Sequence, residues 1–111
     1  MRQFRVIRLL SAAALLLALP LPAQAIERNL KLVNETRFAI AEFYATNVAK
    51  DGWGDNRIAG QPLAAGASVA LDLDDGTGYC LFNLRAVFDD GDEIVSESVN
   101  ICDAGRFYYR P

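Results

Sequence analysis

Apolar and polar residues alternate along most of the chain after residue 25, and this period of two most constrains the fold. The clearest run extends from Tyr79 to Phe88, where every second residue from Cys80 to Phe88 is apolar or cysteine. Successive side chains of an extended strand point to opposite faces, so such a run predicts a half-buried β-strand. No stretch of comparable length has the period of an amphipathic helix.

Further alternating runs are separated by turn-forming Gly, Asn and Asp residues. We predict strands at residues 29–33, 37–45, 68–74, 93–101 and 107–109, with Val95, Val99 and Ile101 facing inward on the fourth of these. The Asp-Gly pair within residues 89–92 is a strong signal for a hairpin between two strands. The sequence therefore predicts an all-β fold, a small antiparallel β-sandwich or partly open barrel of about six to seven strands.

Two positions interrupt the alternation. Glu42 has the parity of the apolar Ile40, whereas Phe43 has the opposite parity, which predicts a β-bulge or a strand end that is buried on both faces. Cys102 has the opposite parity from Ile101. If Cys80 faces the core, Cys102 can reach it only past a kink or from the end of its strand.

The first 25 residues have the three parts of a secretory signal peptide. Arg2, Arg5 and Arg8 precede an apolar run at 9–21, and Ala23 and Ala25 form the small-residue cleavage pattern. The apolar run is too short to span a bilayer, which takes roughly 20 residues. We expect cleavage after Ala25, no stable membrane anchor afterwards, and a single domain of residues 26–111 in the periplasm or the medium.

Cys80 and Cys102 are the two cysteines of the chain. An even pair in an exported domain predicts a disulfide. In the chain-entropy model this loop closure is worth roughly 3 kcal/mol, which matters for a domain this small. The alternative is a metal or redox pair, but there is no C-x-x-C spacing and no histidine to complete such a site.

After residue 25 the chain has fourteen acidic and eight basic residues, a net charge of −6. Nucleic acids and anionic membrane surfaces select basic proteins, so this balance argues against both partners. It suits a protein that binds a cation or a partner with a basic surface.

The loop at 50–60 contains the first candidate binding site. Trp53 lies between two glycines, with Asp51, Asp55 and Asn56 beside it. An exposed tryptophan can anchor a partner or a sugar. The alternative is that the Trp53 ring folds back over one open end of the core.

Acidic turns form the second candidate site. Calcium binds six to eight oxygens from flexible loops, and two turns supply carboxylates. Asp72, Asp74 and Asp75 precede Gly76, and Asp89, Asp90 and Asp92 surround Gly91. The spacing departs from an EF-hand, and the simpler interpretation is that Asp-Gly favours tight turns. We therefore expect no cofactor, with calcium as the alternative.

Catalytic constellations are not apparent in the sequence. Without histidine the chain has no Ser-His or Cys-His nucleophile pair, and its carboxylates cluster on solvated turns. We expect a protein without enzymatic activity. Asn34-Glu35-Thr36 matches the N-glycosylation pattern, and otherwise Asn34 and Thr36 are turn residues.

Several short motifs together resemble a group of small exported bacterial β-domain proteins. The motifs are Asn34-Glu35-Thr36, the Trp-Gly loop at 51–56, the strand Cys80-Leu81-Phe82-Asn83-Leu84-Arg85, the Asp-Gly turn and the second cysteine. The resemblance implies a stand-alone exported β-domain with one disulfide and assigns no site. We expect a module that binds a protein or an envelope component; the alternatives are a calcium-stabilised module and an inhibitor of a secreted hydrolase.

Overall fold

The structure, a computed structural model, describes residues 26–111, which form two three-stranded β-sheets. In the first sheet β1 (Asn29–Asn34) lies between β3 (Ser68–Asp72) and β6 (Arg106–Tyr109); in the second, β4 (Leu81–Phe88) lies between β2 (Ile40–Asn47) and β5 (Glu93–Asn100). A single helical turn, α1 (Ile101–Ala104), joins β5 to β6. The predicted all-β fold with six strands is confirmed. The predicted signal peptide, residues 1–25, lies outside the described residues.

The core lies between the two sheets and follows the predicted alternation. Leu30 and Leu32 of β1 face the even-numbered residues of β4 from Phe82 to Phe88, and all of these are buried. Tyr109 of β6 joins the sheets, with its ring 6.5 Å from that of Phe43 and 5.7 Å from that of Phe88, both edge-on. Each fully buried large apolar side chain contributes about 1.5–3 kcal/mol, so this single layer is the main source of stability.

One strand pair departs from the predicted antiparallel arrangement. β1 pairs in parallel with β6, whereas β1–β3, β2–β4 and β4–β5 are antiparallel. The cause is the connection: α1 carries the chain from the second sheet to the first, and Gly105 (φ 66°) ends the helix in a left-handed conformation. The Lys31 amide then donates to the Gly105 carbonyl at 2.8 Å, which starts β6 alongside β1 in the same direction.

The Cys80–Cys102 disulfide is confirmed, with the two Cα atoms 5.3 Å apart. It fastens the start of β4 to α1, where the chain changes sheets. Asn100 caps this turn by accepting hydrogen bonds from the amides of Cys102 and Asp103. Cys102 thus reaches Cys80 from beyond the end of β5, as its parity required.

The predicted irregularity in β2 is confirmed, because its pairing with β4 shifts between Ile40 and Glu42. A second bulge was not predicted. Phe82 pairs with Val99 and Leu84 with Ser96, so two residues of β5 lie opposite Asn83 alone, and Ser98 has φ 54°. The extra residue reverses the parity of β5.

This reversal makes one predicted orientation wrong. Val99 and Ile101 face inward as expected, but Val95 pairs with Arg85 on the outer face and is 51% exposed. The prediction assumed that inward and outward positions alternate without interruption from Val99 back to Val95. The bulge at Ser98 interrupts this alternation.

Candidate functional site

The loop between β2 and β3 covers the outer edge of β2. Ile40 and Leu63 exchange two backbone hydrogen bonds of 2.9 Å, and the Arg57 amide donates to the Phe43 carbonyl at 2.7 Å. Arg57 also donates from Nη2 to the Ala45 carbonyl. The backbone groups of an unpaired strand edge can pair with other chains, so this loop protects the β2 edge of the second sheet.

Asn56, one of the four predicted binding residues, has a structural role in this cover. Its Oδ1 accepts hydrogen bonds from the Phe43 amide at 3.0 Å and the Ile58 amide at 3.1 Å. The first bond gives the backbone amide of Phe43, which lies in β2 near the bulge, a hydrogen-bond acceptor. Its side-chain oxygen is therefore engaged with the protein backbone.

The other three residues of the predicted Trp53 site lie at the loop surface. Asp51 and Asp55 are exposed, while Trp53 is half-buried and is not among the residues that form or flank the core. A Cβ at the next residue, Gly54, would lie 3.9 Å from Thr46 Cγ2, so this part of the loop rests on the outer face of the second sheet. The alternative that Trp53 covers the core does not match this position.

The six aspartates of the calcium alternative are not gathered into one cluster of ligands. The Oδ1 atoms of Asp72, Asp74 and Asp90 each accept a hydrogen bond of 3.0 Å from the backbone amide two residues later in the chain. No group of three or more Asp, Glu, Cys or His side chains within residues 26–111 is arranged to hold a metal ion. Four of the six, Asp72, Asp74, Asp75 and Asp90, make Asx-type contacts that shape turns. Calcium binding by Asp72, Asp74, Asp75, Asp89, Asp90 and Asp92 stays a prediction.

Asp75 fastens its turn to the end of β2. It accepts a hydrogen bond from Asn47 Nδ2 at 2.9 Å and another from the Thr77 amide at 3.1 Å. The hydrogen bond from the Asn47 side chain has the largest effect and those from Thr77 the next largest, and together they lower the pKa of Asp75 to about 2. These bonds favour the charged form of the carboxyl group, so the turn is most stable when Asp75 is ionised.

Asn34 is fully buried and makes hydrogen bonds with both ends of its amide. Nδ2 donates to the carbonyls of Phe38, Leu63 and Ala64, and Oδ1 accepts from the amide and hydroxyl of Thr36. A glycan on Nδ2 has no room in this folded domain. Asn34 therefore holds the β1–β2 turn to the loop that covers β2.

An apolar groove of about 300 Å³ lies at one end of the sandwich, and we call it the end groove. It is formed by the turn after β1, the hairpin turn between β4 and β5, and Pro111. Phe88 forms its buried floor, while Phe38 and Ile94 are 43% and 41% exposed at its sides. Pockets for small ligands begin near this volume and are mostly apolar.

Charged residues surround this apolar surface. Arg37 lies on the side of the β1–β2 turn, and Asp90 and Asp92 lie on the side of the hairpin. Two acidic residues and one basic residue therefore line this rim. Glu93, which follows Asp92 in the chain, forms an ion pair with Arg85. Sequence reasoning missed the end groove because its residues come from three distant segments, each of which resembles an ordinary turn or strand end.

The side chains of the end groove offer apolar contact, two carboxylates and one guanidinium group. The sequence contains no histidine, and both cysteines form the disulfide. Within residues 26–111, no helix is long and apolar enough to cross a membrane.

Comparisons of the chain with protein-family models, with curated proteins and with solved structures gave no match.

Proposed function

We propose that the protein is an exported, non-enzymatic module that binds a protein partner through the end groove. The observation that carries the proposal is that Phe38 and Ile94, both more than two-fifths exposed, lie beside the buried Phe88 in one concave surface. Large apolar side chains that meet around a concavity, with a polar rim, are typical of protein interaction sites.

Export to the periplasm or the medium is supported by the signal-like residues 1–25 and by the disulfide. Disulfides form and persist mainly in oxidising compartments. The resemblance to small exported bacterial β-domains agrees with this placement. Absence of catalysis is supported by the histidine-free sequence and by the engagement of both cysteines.

Photo-crosslinking in the cells that produce the full chain tests the proposal. Benzoylphenylalanine replaces Phe38 in the end groove, or Leu81 as the matched control, since Leu81 is 41% exposed at the opposite end of β4. We expect a discrete protein adduct from position 38 that is lost when Ile94→Asp is added. Equal adducts at both positions, or none at position 38, would contradict the groove assignment.

The Trp53 loop is the competing surface, because Asp51 and Asp55 are exposed beside a half-buried aromatic ring. Benzoylphenylalanine at position 53 is therefore the third arm of the experiment. An adduct at position 53, together with loss of partner binding by the separate variant Trp53→Ala, would move the binding site to this loop. A secreted hydrolase captured at position 38, and inhibited by the purified protein, would make the partner an enzyme that this module inhibits.

A further inference from the structure

The chain contains three Asp-Gly pairs, and all three lie in exposed turns: Asp51-Gly52, Asp75-Gly76 and Asp90-Gly91. In such a pair the backbone nitrogen of the glycine can attack Cγ of the aspartate, because glycine has no side chain to obstruct this close approach. No asparagine of the chain precedes a glycine or a serine. The three Asp-Gly pairs are therefore the positions at which the sequence most favours rearrangement of the backbone.

The rearrangement proceeds through a five-membered succinimide ring. The glycine nitrogen forms a bond to Cγ of the protonated carboxyl group, the bond from Cγ to the hydroxyl breaks, and the N–H proton leaves with this hydroxyl as water. Water then opens the ring at Cγ, which restores aspartate, or at the backbone carbonyl carbon, which yields isoaspartate. One water leaves and one returns, so the reaction needs no other reactant.

Ring closure requires a free glycine amide and a free aspartate carboxyl group. An amide that donates a hydrogen bond must first give up that bond, which slows the attack. A carboxylate that accepts hydrogen bonds is held in its charged form, whereas the protonated form reacts. Space does not distinguish the three pairs, since a Cβ at Gly52, Gly76 or Gly91 would meet no atom within 4 Å.

Asp75-Gly76 is protected at both groups. The Gly76 amide donates to Asp74 Oδ1 at 3.0 Å. The Asp75 carboxylate accepts hydrogen bonds from Asn47 and Thr77, and its pKa of about 2 leaves little of the protonated form at neutral pH. Succinimide formation at this pair must therefore overcome the bonds that shape its turn.

Asp90-Gly91 is protected by the hairpin turn between β4 and β5. The Gly91 amide donates to the Phe88 carbonyl at 2.9 Å. Asp90 Oδ1 accepts a hydrogen bond from the Asp92 amide at 3.0 Å. Both bonds must break before the ring can close, so this pair also reacts slowly in the folded domain.

Asp51-Gly52 lacks both kinds of protection. Within residues 26–111, the Gly52 amide donates no hydrogen bond, and the Asp51 carboxylate has neither a hydrogen-bond donor nor an ion-pair partner. The chain is fixed on both sides of the pair. The Lys50 amide donates to the Asn47 carbonyl at 3.1 Å, and Asn56 accepts hydrogen bonds from two backbone amides. A change in the backbone at residue 51 is therefore confined to the loop.

We propose that Asp51-Gly52 is the position at which the folded protein converts aspartate to isoaspartate. The product has one more carbon in its backbone and carries its carboxylate directly on Cα. Since this change occurs two residues before Trp53, it alters the surface of the Trp53 loop and leaves both sheets intact.

Peptide mapping by mass spectrometry tests the proposal, with electron-transfer fragmentation to separate isoaspartate from aspartate. Oxidised protein, obtained by expression of the full chain, is kept at mildly acidic pH. Reduced protein in guanidinium chloride is the unfolded reference. Dividing each pair's folded rate by its own unfolded rate removes the influence of the residue that follows the glycine. We expect the normalised rate at Asp51 to exceed those at Asp75 and Asp90 by roughly threefold or more.

Two variants test the physical cause. Asp74→Ala removes the acceptor of the Gly76 amide, whereas the matched variant Asp72→Ala removes a neighbouring turn aspartate and keeps that bond. Asp74→Ala should speed the reaction at Asp75 roughly threefold, and Asp72→Ala should not. An unchanged rate at Asp75 in Asp74→Ala would overturn hydrogen bonding as the protecting feature. Equal normalised rates at the three pairs, or a slower rate at Asp51, would overturn the proposed site.

Discussion

Asn34→Asp is the substitution that most directly probes how the fold is held together. The asparagine is fully buried, and its Nδ2 donates to the Phe38 carbonyl at 2.8 Å, the Leu63 carbonyl at 3.2 Å and the Ala64 carbonyl at 3.3 Å. An aspartate has the same shape but no donor when ionised. A buried negative charge would then face three carbonyl oxygens without a partner.

The cost follows from these contacts. Leaving a buried charge unpaired typically costs about 3–5 kcal/mol, whereas a protonated carboxyl can still donate one hydrogen bond and costs about 1–2 kcal/mol. Burial and the carbonyl oxygens raise the folded-state pKa of the new carboxyl above the unfolded value of about 3.9. The extra destabilisation is therefore absent below about pH 4 and grows as the pH rises toward the folded-state pKa.

Urea unfolding of the oxidised protein at pH 3.5 and pH 7 measures this difference. Gln61→Glu is the matched control, because the exposed Gln61 side chain undergoes the same change from amide to carboxyl. We expect Asn34→Asp to lose about 4 kcal/mol at pH 7 and about 1–2 kcal/mol at pH 3.5, and Gln61→Glu to lose under about 0.5 kcal/mol at both. If the two variants lose the same free energy at pH 7, the assigned role of Asn34 is refuted.

Two further predictions concern single side chains. The pKa of Asp75 is lowered to about 2 by its hydrogen bonds, so its stabilisation is present above about pH 4 and is lost as the pH falls toward 2. Asp75→Asn should cost about 1 kcal/mol at pH 7, since the group is solvent-screened, and less at pH 2; Asp51→Asn is the control in the same urea assay. The buried Tyr109 hydroxyl has no hydrogen-bond partner within residues 26–111, and burial raises its pKa. Tyr109→Phe should therefore raise the melting temperature or leave it unchanged, and a loss of several degrees would reveal a partner for the hydroxyl.

The fold was predictable where local chemistry alone decides it. Alternation identified all six strands, the Asp-Gly turn identified the β4–β5 hairpin, and the mismatch at Glu42 and Phe43 identified the first bulge. Prediction failed at Val95, because the bulge at Ser98 has no signal in the alternation. The pattern also does not show that Ser98 has a left-handed backbone conformation.

The candidate site was predictable to a smaller extent. Asn56 is a polar loop residue whose position suggested recognition, but tertiary contacts use it to satisfy the Phe43 amide. Phe38 has the same parity as Ile40 in the strand predicted at residues 37–45, and alternation therefore places both on one face. Instead β2 begins only at Ile40, and Phe38 lies exposed in the preceding turn. Burial depends on what the opposite sheet covers, and this cannot be read from one strand.

The sequence by itself determined the all-β class, the disulfide and most of the core, because backbone alternation, turn propensity and a single cysteine pair are local or countable properties. Tertiary structure alone decided the parallel β1–β6 pair, the reversed face of Val95 and the end groove. The parallel pair and the end groove depend on how distant segments meet, and the face of Val95 depends on how β5 pairs with β4 around the bulge. The energies of such meetings come from packing and hydrogen bonds between those segments, which no local pattern encodes.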